Sequence, residues 1–388
     1  MRRAGVNIAG GVLLTLLLAL LVVVLDRLHA VGELSLFVLA GAVLIPLSWL
    51  IGEATDNLAR HTGPGIGGFL NATFGNAPEL IIAIIAASGG LATVVRASLV
   101  GSIVSNLLLV LGFTLLFGQS GLIDRPSAYF SLGFVGFTAV VVLAAAAPGF
   151  HGDPERLPLA KLSLPVAILL LVVCVIVTRY TLRRQWRLFR PAEVEGTGWS
   201  LPAALVVLGV ATTATAFVSE TLVGVLEAFA RAAHLSEFFV AAVIVAIIGN
   251  ATEHGSAVLL ARRGRVMLAT EIPLASSAQI AGLVIPLVAL VSWAFTPLAL
   301  SFRPIELAAM AVAAALPALV LRTGRTSRLG GAILLAAYSA FAVACYLAGD
   351  RSRCREVIGA STLCYRAPAR SRASTFSPHM TRPVSAKP

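Results

Sequence analysis

Residues 70–84 read LNATFGNAPELIIAI, an apolar run broken by Asn76 and by Glu79 directly after Pro78. An acidic side chain at the centre of a membrane helix costs roughly 2.5–3.5 kcal/mol on insertion scales, and an interior proline removes a ladder hydrogen bond. A second stretch, AIIGNATEHGSAV over 246–258, repeats the pattern. Four of the five residues of Gly75-Asn76-Ala77-Pro78-Glu79 recur in Gly249-Asn250-Ala251-Thr252-Glu253, 174 positions later. The same offset carries Ser102 onto Ser276 and Ser105 onto Gln279. Internal repetition at so long a period is the mark of a transporter built from two halves.

The rest of the chain agrees with that reading. Of 388 residues, 58% are hydrophobic and 12% charged, where soluble domains carry about 25% charged residues. The mean hydropathy is +0.92. A span needs about 20 mostly apolar residues, and reading apolar runs between charged or Gly/Pro breaks predicts an all-α polytopic membrane protein of about eleven helices. They fall at 6–26, 34–59, 65–88, 92–118, 127–148, 158–181, 200–231, 236–261, 266–296, 303–321 and 328–348. The N-terminal helix (1–33) stands alone, because Leu28-His29-Ala30 is a poor cleavage site for a signal peptide. Two five-helix repeats follow, 34–181 and 200–348. Five is odd, so the second repeat enters the membrane inverted. Residues 182–199 form a basic cytoplasmic linker, and 349–388 a basic tail with no apolar period, expected to be disordered.

The net charge of +11 does not signal nucleic acid, since the arginines lie mainly in short loops and the tail rather than on one amphipathic face. With a cytoplasmic N-terminus and the tail left aside, fifteen basic residues fall on the cytoplasmic side and six opposite (Arg27, Arg96, Arg156, Lys161, Arg231, Arg303), in line with the positive-inside rule. The tail is the exception, since its eight basic residues fall outside in this topology. Twenty-seven arginines against two lysines, with abundant alanine, point to a GC-rich bacterial genome and so to the bacterial cytoplasmic membrane. The four cysteines (Cys174, Cys345, Cys354, Cys364) have no zinc spacing. The bilayer is the surrounding partner, and a homo-oligomer is left open.

Asn and Glu three apart share one helix face. The bland reading of GNAPE and GNATE is a capping box, in which Asn76 or Asn250 caps and the glutamate reaches back. The sharper reading pairs Glu79 with Glu253 near the membrane midplane, with Pro78 freeing the Phe74 carbonyl. Side-chain oxygens from Asn76, Asn250, Ser102, Ser105, Asn106, Ser276, Ser277 and Gln279 would complete a hard-oxygen cation and proton site. Such oxygens suit Ca²⁺ and suit soft metals poorly. Each Ser or Asn could instead make an ordinary interhelical hydrogen bond. A buried carboxylate holds either a cation or a proton, so the two compete, which is the minimal physics of antiport. His254 is a candidate proton relay, and Glu53, Asp56, Glu220 and Glu227 are acids at helix interiors or ends. Glu271 reads as interfacial.

The segments GGFLNATFGNAPELIIAI, VGSIVSNLLLVLG, LSEFFVAAVIVAIIGNATEHGSAV and SSAQIAGLVIP resemble the paired signatures of the calcium/proton exchanger (CAX) family, within the cation/calcium exchanger superfamily. The resemblance spans about 34–348. It implies a helix followed by an inverted five-helix repeat, and exchange of cytoplasmic Ca²⁺ for external H⁺ without a cofactor. It makes Glu79 and Glu253 the central ligands and carriers. Asn76, Asn250, Ser102, Asn106, Ser276 and Gln279 support them, and Glu53 and Glu220 sit on gating helices. The chain departs from the family's pattern at Pro78, where Thr or Ala is usual, and at Ala246, near which a proline is usual. It also lacks the acidic inter-repeat segment. Other readings are Na⁺-coupled or Mn²⁺ exchange on the same fold, a channel or scaffold, and an intramembrane enzyme. The enzyme reading is set aside, because TEHGS lacks the second histidine of HExxH and no GxSxG elbow is present.

Overall fold

A computed structural model describes residues 2–150, 157–188 and 199–349, with side chains of 2–9, 63–69, 71–72 and 180–188 left out of the description. The tail, most of the linker, Arg156, Cys354 and Cys364 lie outside the described residues. Among the described residues all regular structure is helical apart from one isolated bridge. We number the helices α1 (Arg2–Arg27), α2 (Glu33–Phe74), α3 (Ala77–Ser88), α4 (Ala92–Phe117), α5 (Arg125–Ala146), α6 (Leu157–Leu188) and α7 (Leu201–Gly224). After them come α8 (Leu226–Ala232), α9 (Glu237–Gly249), α10 (Ala251–Arg262), α11 (Val266–Ala294), α12 (Pro304–Val320) and α13 (Arg328–Ala348).

Nine helices among the described residues are long and apolar enough to cross a membrane, or ten if the bent pair α8–α9, angled at 116°, counts as one span. The expected eleven are not all separate spans, and the differences fall at the repeated motif. The predicted helix 65–88 is split: its first part continues α2 to Phe74, and only twelve residues form α3. The predicted helix 236–261 is split at Asn250 into α9 and α10. The predicted helix 200–231 bends at Val225 between α7 and α8. Apolar periodicity does not see such breaks, because the residues on both sides remain apolar.

Helices with no water between them associate through close packing, which favours small residues at crossings. Gly101 of α4 faces the backbone of Ala242 on α9, where an added Cβ would lie 2.0 Å from the carbonyl oxygen. Gly112 of α4 and Gly331 of α13 meet in the same way, each within 3.2 Å of the other's carbonyl oxygen once a Cβ is added. These contacts set α4 at the centre of the molecule, and its Leu99, Ile103, Leu107 and Leu111 are fully buried.

Loop and helix-end contacts sort into two rims. In one, the Trp199 N–H donates to Asn57 Oδ1 (2.9 Å), the Trp199 carbonyl meets His61 Nε2 (2.8 Å), and Gln119 Nε2 donates to the Arg262 carbonyl (2.9 Å). In the other, Thr221 Oγ1 donates to Asp26 (2.9 Å), Arg27 lies 3.9 Å from Glu220, and Arg303 Nη1 donates to the Gly349 carbonyl (3.0 Å). The second rim also holds Arg96, counted above as a loop charge. It is instead only 1% exposed, in the second turn of α4, and its Nη1 donates to the Ala299 carbonyl (3.1 Å).

The Gly101 crossing is testable. Gly101→Ala forces the α4 and α9 backbones apart, and overpacking of this kind costs about 1–3 kcal/mol. Gly209→Ala, where a Cβ meets nothing within 4 Å, serves as control. The Gly101 variant is expected to melt several degrees below wild type in detergent and the control within a degree or so. Equal melting temperatures would show that the two backbones are not in contact.

Candidate functional site

Two helix breaks build the site. At Asn76 (φ −108°, ψ 25°) and Asn250 (φ −91°, ψ 8°) the backbone leaves helical geometry and then starts α3 and α10. Neither asparagine caps the helix that it precedes, so the capping box does not form. Their side chains are used across the molecule instead. Asn76 Nδ2 donates to Gln279 Oε1 at 2.7 Å, and Asn76 Oδ1 accepts from Ser276 Oγ at 2.9 Å. Asn250 Nδ2 donates to the Ala246 carbonyl, closing the end of α9, while its Oδ1 accepts from Asn106 Nδ2 at 3.0 Å.

Pro78 is not the cause of the first break. It occupies the first turn of α3, where a helix has no use for its missing N–H. The second break forms at the matching position with Thr252 in place of proline. The Gly-Asn pair is common to both.

Asn106 is the hub. Its Nδ2 lies 3.0 Å from Asn250 Oδ1, 3.2 Å from Glu253 Oε2 and 2.9 Å from Ser276 Oγ. A carboxylate on that side requires the amide nitrogen there, which fixes the orientation of the amide. The opposite atom, Asn106 Oδ1, is buried and has no hydrogen-bond partner, and neither has Glu79 Oε2. Glu79 is 6% exposed and Glu253 partly accessible. The two carboxylates are close enough to interact electrostatically. Glu79 also reaches the opposite break, since a Cβ on Gly249 would lie 3.3 Å from Glu79 Oε1. The sequence reading used Gly249 only as a marker of the repeat; its role in making room for a carboxylate needed the contact.

Short π-helical stretches at Ser105–Val110 in α4 and Ile280–Val284 in α11 follow the site residues in each half. They stand at matching positions of the 174-residue offset, and nothing in the residue types announced them. Such bulges recur at functional sites. Here one begins at Ser105 and Asn106, and the other directly after Gln279.

Not every predicted residue is brought into the site. Ser105 Oγ donates to the Ser102 carbonyl (3.1 Å), and Ser277 Oγ to the Pro273 carbonyl (2.7 Å) with the Ile103 carbonyl at 3.5 Å, so both hydroxyl hydrogens go to backbone carbonyls and neither hydroxyl joins the side-chain network of Asn106. Ser102 is buried one turn before Asn106. His254 Nε2 is buried without a hydrogen-bond partner. Glu53 is held by Asn57 Nδ2 at its carbonyl (2.8 Å) and at Oε1 (3.1 Å), one turn from the rim that Trp199 closes. Glu220 is exposed at the other rim beside Arg27. Glu53 and Glu220 therefore sit at opposite ends of the packed pair α2 and α7. Glu227 pairs with Arg231 at 3.7 Å. Glu271, expected to be interfacial, is half-buried in the second turn of α11 and accepts from Ser127 Oγ at 2.8 Å. Among the described residues no three His, Cys, Asp or Glu side chains converge as a metal cage. The donor set is two carboxylates with neutral amide and hydroxyl oxygens.

The sodium/calcium exchanger protein family matches residues 32–184 and 203–347. The chain belongs to that family. Family members are ion transporters, not enzymes, and the transported ions are substrates. The chain is 34% identical over 333 residues to the Ca²⁺/H⁺ antiporter of Aphanothece halophytica, covering 79% of this chain and 88% of the relative. It is 35% identical over 326 residues to the Ca²⁺/H⁺ antiporter ChaA of Bacillus subtilis, covering 80% and 92%. Among solved structures it is similar to native YfkE, with TM-score 0.73 and 32% identity over 86% of this chain and 99% of YfkE. An H⁺/Ca²⁺ exchanger CAX at TM-score 0.68 and 16% identity, covering 87% of this chain and 91% of that one, shares the fold.

Replacing the hub separates its role from that of the helix-bonded serines. Asn106→Leu removes the two amide hydrogens that Asn250, Glu253 and Ser276 share, and an acceptor left unpaired and buried costs about 1–3 kcal/mol. The substitution is expected to lower the melting temperature in detergent clearly. Ser105→Ala loses one hydrogen bond worth about 0.6 kcal/mol and stays near wild type. Equal melting of the two variants would remove Asn106 as the junction.

Proposed function

We propose that this family member is a secondary active antiporter that exchanges cytoplasmic Ca²⁺ for H⁺ by alternating access. Glu79 and Glu253 are shared between cation and protons. The observation that carries the reading is the pair of buried acceptors without a donor, Glu79 Oε2 and Asn106 Oδ1, beside a second carboxylate. Stranded acceptors of this kind are satisfied by a cation or by protons on the acids. Ca²⁺ takes 6–8 oxygen ligands, and Asn76, Asn250, Ser102, Ser276 and Gln279 supply neutral oxygens around the two acids, with waters for the rest.

The competition between ions follows from charge. Two bare carboxylates are costly in an apolar core. One Ca²⁺ neutralises both, and so do two protons. A helix rearrangement that carries the site from one side to the other is cheapest in those two states, which couples the ions. His254, with a free ring nitrogen beside Glu253, has what a proton relay needs. Glu53 and Glu220, at opposite ends of α2 and α7, are placed to gate opposite sides.

The architecture in this proposal is the N-terminal helix followed by two inverted five-helix repeats, with the N-terminus and the Gln119–Arg262 rim in the cytoplasm of a bacterial inner membrane. The matching breaks at Asn76 and Asn250 and the matching π stretches support it, as does the crowd of arginines on that rim. The lining also suggests which side is open. The α3 residues Ile82, Ala83, Ala86 and Ala87 are buried, whereas Gly255 and Ser256 of α10 are exposed. The exposed Gly255 and Ser256 next to Glu253 favour access along α10, towards the cytoplasmic rim. Na⁺ or Mn²⁺ in place of Ca²⁺ is a second reading, supported by the sodium in the family's description. The names of the relatives favour Ca²⁺ with H⁺.

⁴⁵Ca²⁺ uptake into everted vesicles with an acid interior tests this. Wild type is expected to accumulate Ca²⁺ until a protonophore is added, and Glu79→Gln and Glu253→Gln to show only background. Ser105→Ala and Ser277→Ala should stay within about threefold of wild type, the factor that one membrane hydrogen bond is worth. Folded wild type that ignores the pH gradient would exclude Ca²⁺/H⁺ exchange, and Na⁺ and Mn²⁺ would then be tried as substrates.

A further inference from the structure

A groove of about 740 Å³ runs along the outside of the molecule between α5 and α12. Its walls include Tyr129, Gly133 and Gly136 of α5 and Ala311, Ala315 and Ala318 of α12. The small residues make it deep: a Cβ on Gly133 would meet nothing within 4 Å, and one on Gly136 only Ala314 at 4.0 Å. The far end is lined by Phe150 and Pro304. At the near end the Tyr129 hydroxyl donates to the Ala318 carbonyl at 2.8 Å and ties the two helices together.

That near end opens on charge. Arg125 lies one turn before Tyr129 on the same face of α5, and Arg322 follows Ala318 by four residues; both are exposed, as is Arg325. The loops that carry them are fixed to each other. The Ile123 N–H donates to the Gly324 carbonyl (2.9 Å), the Thr326 N–H donates to the Gly121 carbonyl (3.1 Å), and the Gly121 N–H donates to Thr326 Oγ1 (3.0 Å). Gly324 has φ +71°, and a Cβ there would sit 2.7 Å from Arg125 Cδ. The Arg125 side chain therefore lies against Gly324, whose loop also carries Arg322 and Arg325. Asp124 is the one acid in these two loops. The positive-inside rule asks only for basic loops. It does not ask that two arginine-bearing loops be tied to each other beside the end of an apolar groove.

We propose that this is a binding site for one anionic phospholipid, with its phosphate on Arg125, Arg322 and Arg325 and an acyl chain in the α5–α12 groove. The charge at the mouth selects an anionic headgroup over a zwitterionic one, and a groove with apolar walls takes a hydrocarbon chain. Basic pockets between membrane helices hold anionic headgroups elsewhere by the same physics. The groove shares no lining residue with the Glu79 and Glu253 site, so it stands or falls independently of the transported ion.

The test is native mass spectrometry of the delipidated full-length protein, titrated with dioleoylphosphatidylglycerol or dioleoylphosphatidylcholine. Wild type is expected to retain one phosphatidylglycerol at concentrations where phosphatidylcholine does not bind. Arg125→Gln, Arg322→Gln and Arg325→Gln together should weaken that binding roughly a hundredfold, at about fivefold per arginine. The same charge change on the neighbouring loop, Arg262→Gln with Arg263→Gln and Arg265→Gln, should leave it in place. Gly133→Leu fills the groove and should weaken both lipids while the arginines remain. Equal retention of the two lipids by wild type would overturn the proposal. So would equal loss in the two arginine triples, or glycerol phosphate binding as tightly as the whole lipid.

Discussion

The amide nitrogen of Asn106 lies within hydrogen-bond reach of Asn250, Glu253 and Ser276, and Ser276 in turn donates to Asn76. This chain of bonds joins both helix breaks through two other helices. A helix broken inside an apolar core leaves free backbone groups, which are tolerated only where protein or a water-lined cavity satisfies them. At the second break Asn250 Nδ2 takes the Ala246 carbonyl, and α4 and α11 bring polar side chains that hold the side chains of both asparagines. The close crossing of Gly101 on Ala242 is what lets α4 come near enough.

Much of this was legible in the residues. The apolar windows gave the helical membrane architecture, and the 174-residue echo of GNAPE in GNATE identified the two acidic motifs and their serine and glutamine partners. The resemblance to the calcium/proton exchangers rested on the same segments, and the family match bears it out. The local backbone was less legible. Proline was the visible helix breaker, yet Pro78 sits harmlessly in the first turn of α3. Glycine and asparagine do the breaking, and neither is decisive alone. The π stretches have no residue signature, because they arise from how the helix meets its neighbours. The same blindness made Ser105 and Ser277 look equal to Asn106: spacing places a hydroxyl on a face but does not say whether its own helix carbonyl has already taken it.

The two halves are alike in motif and unlike in setting. The segment after Asn76 reads APELIIAIIAAS and is largely buried, while that after Asn250 reads ATEHGSAVLLAR and is partly exposed. In an inverted repeat the two half-helices would point from the midplane to opposite sides. In the proposed mechanism an apolar α3 would then close one side while the exposed Gly255 and Ser256 of α10 would border the approach on the other. Reversal would need α3 to become accessible along a stretch that offers only Ala, Ile and Leu between Glu79 and Ser88. Under the proposed exchange mechanism the opposite path must therefore draw its polar groups from other helices. On α7, which packs against α2 and α3, Thr212, Thr215 and Ser219 have buried hydroxyls without partners. They fall at i, i+3 and i+7, one stripe of a helix, ending beside Glu220 on the rim opposite Arg262. Orphan hydroxyls in a row are what a path that fills with water in another conformation leaves behind in the closed one.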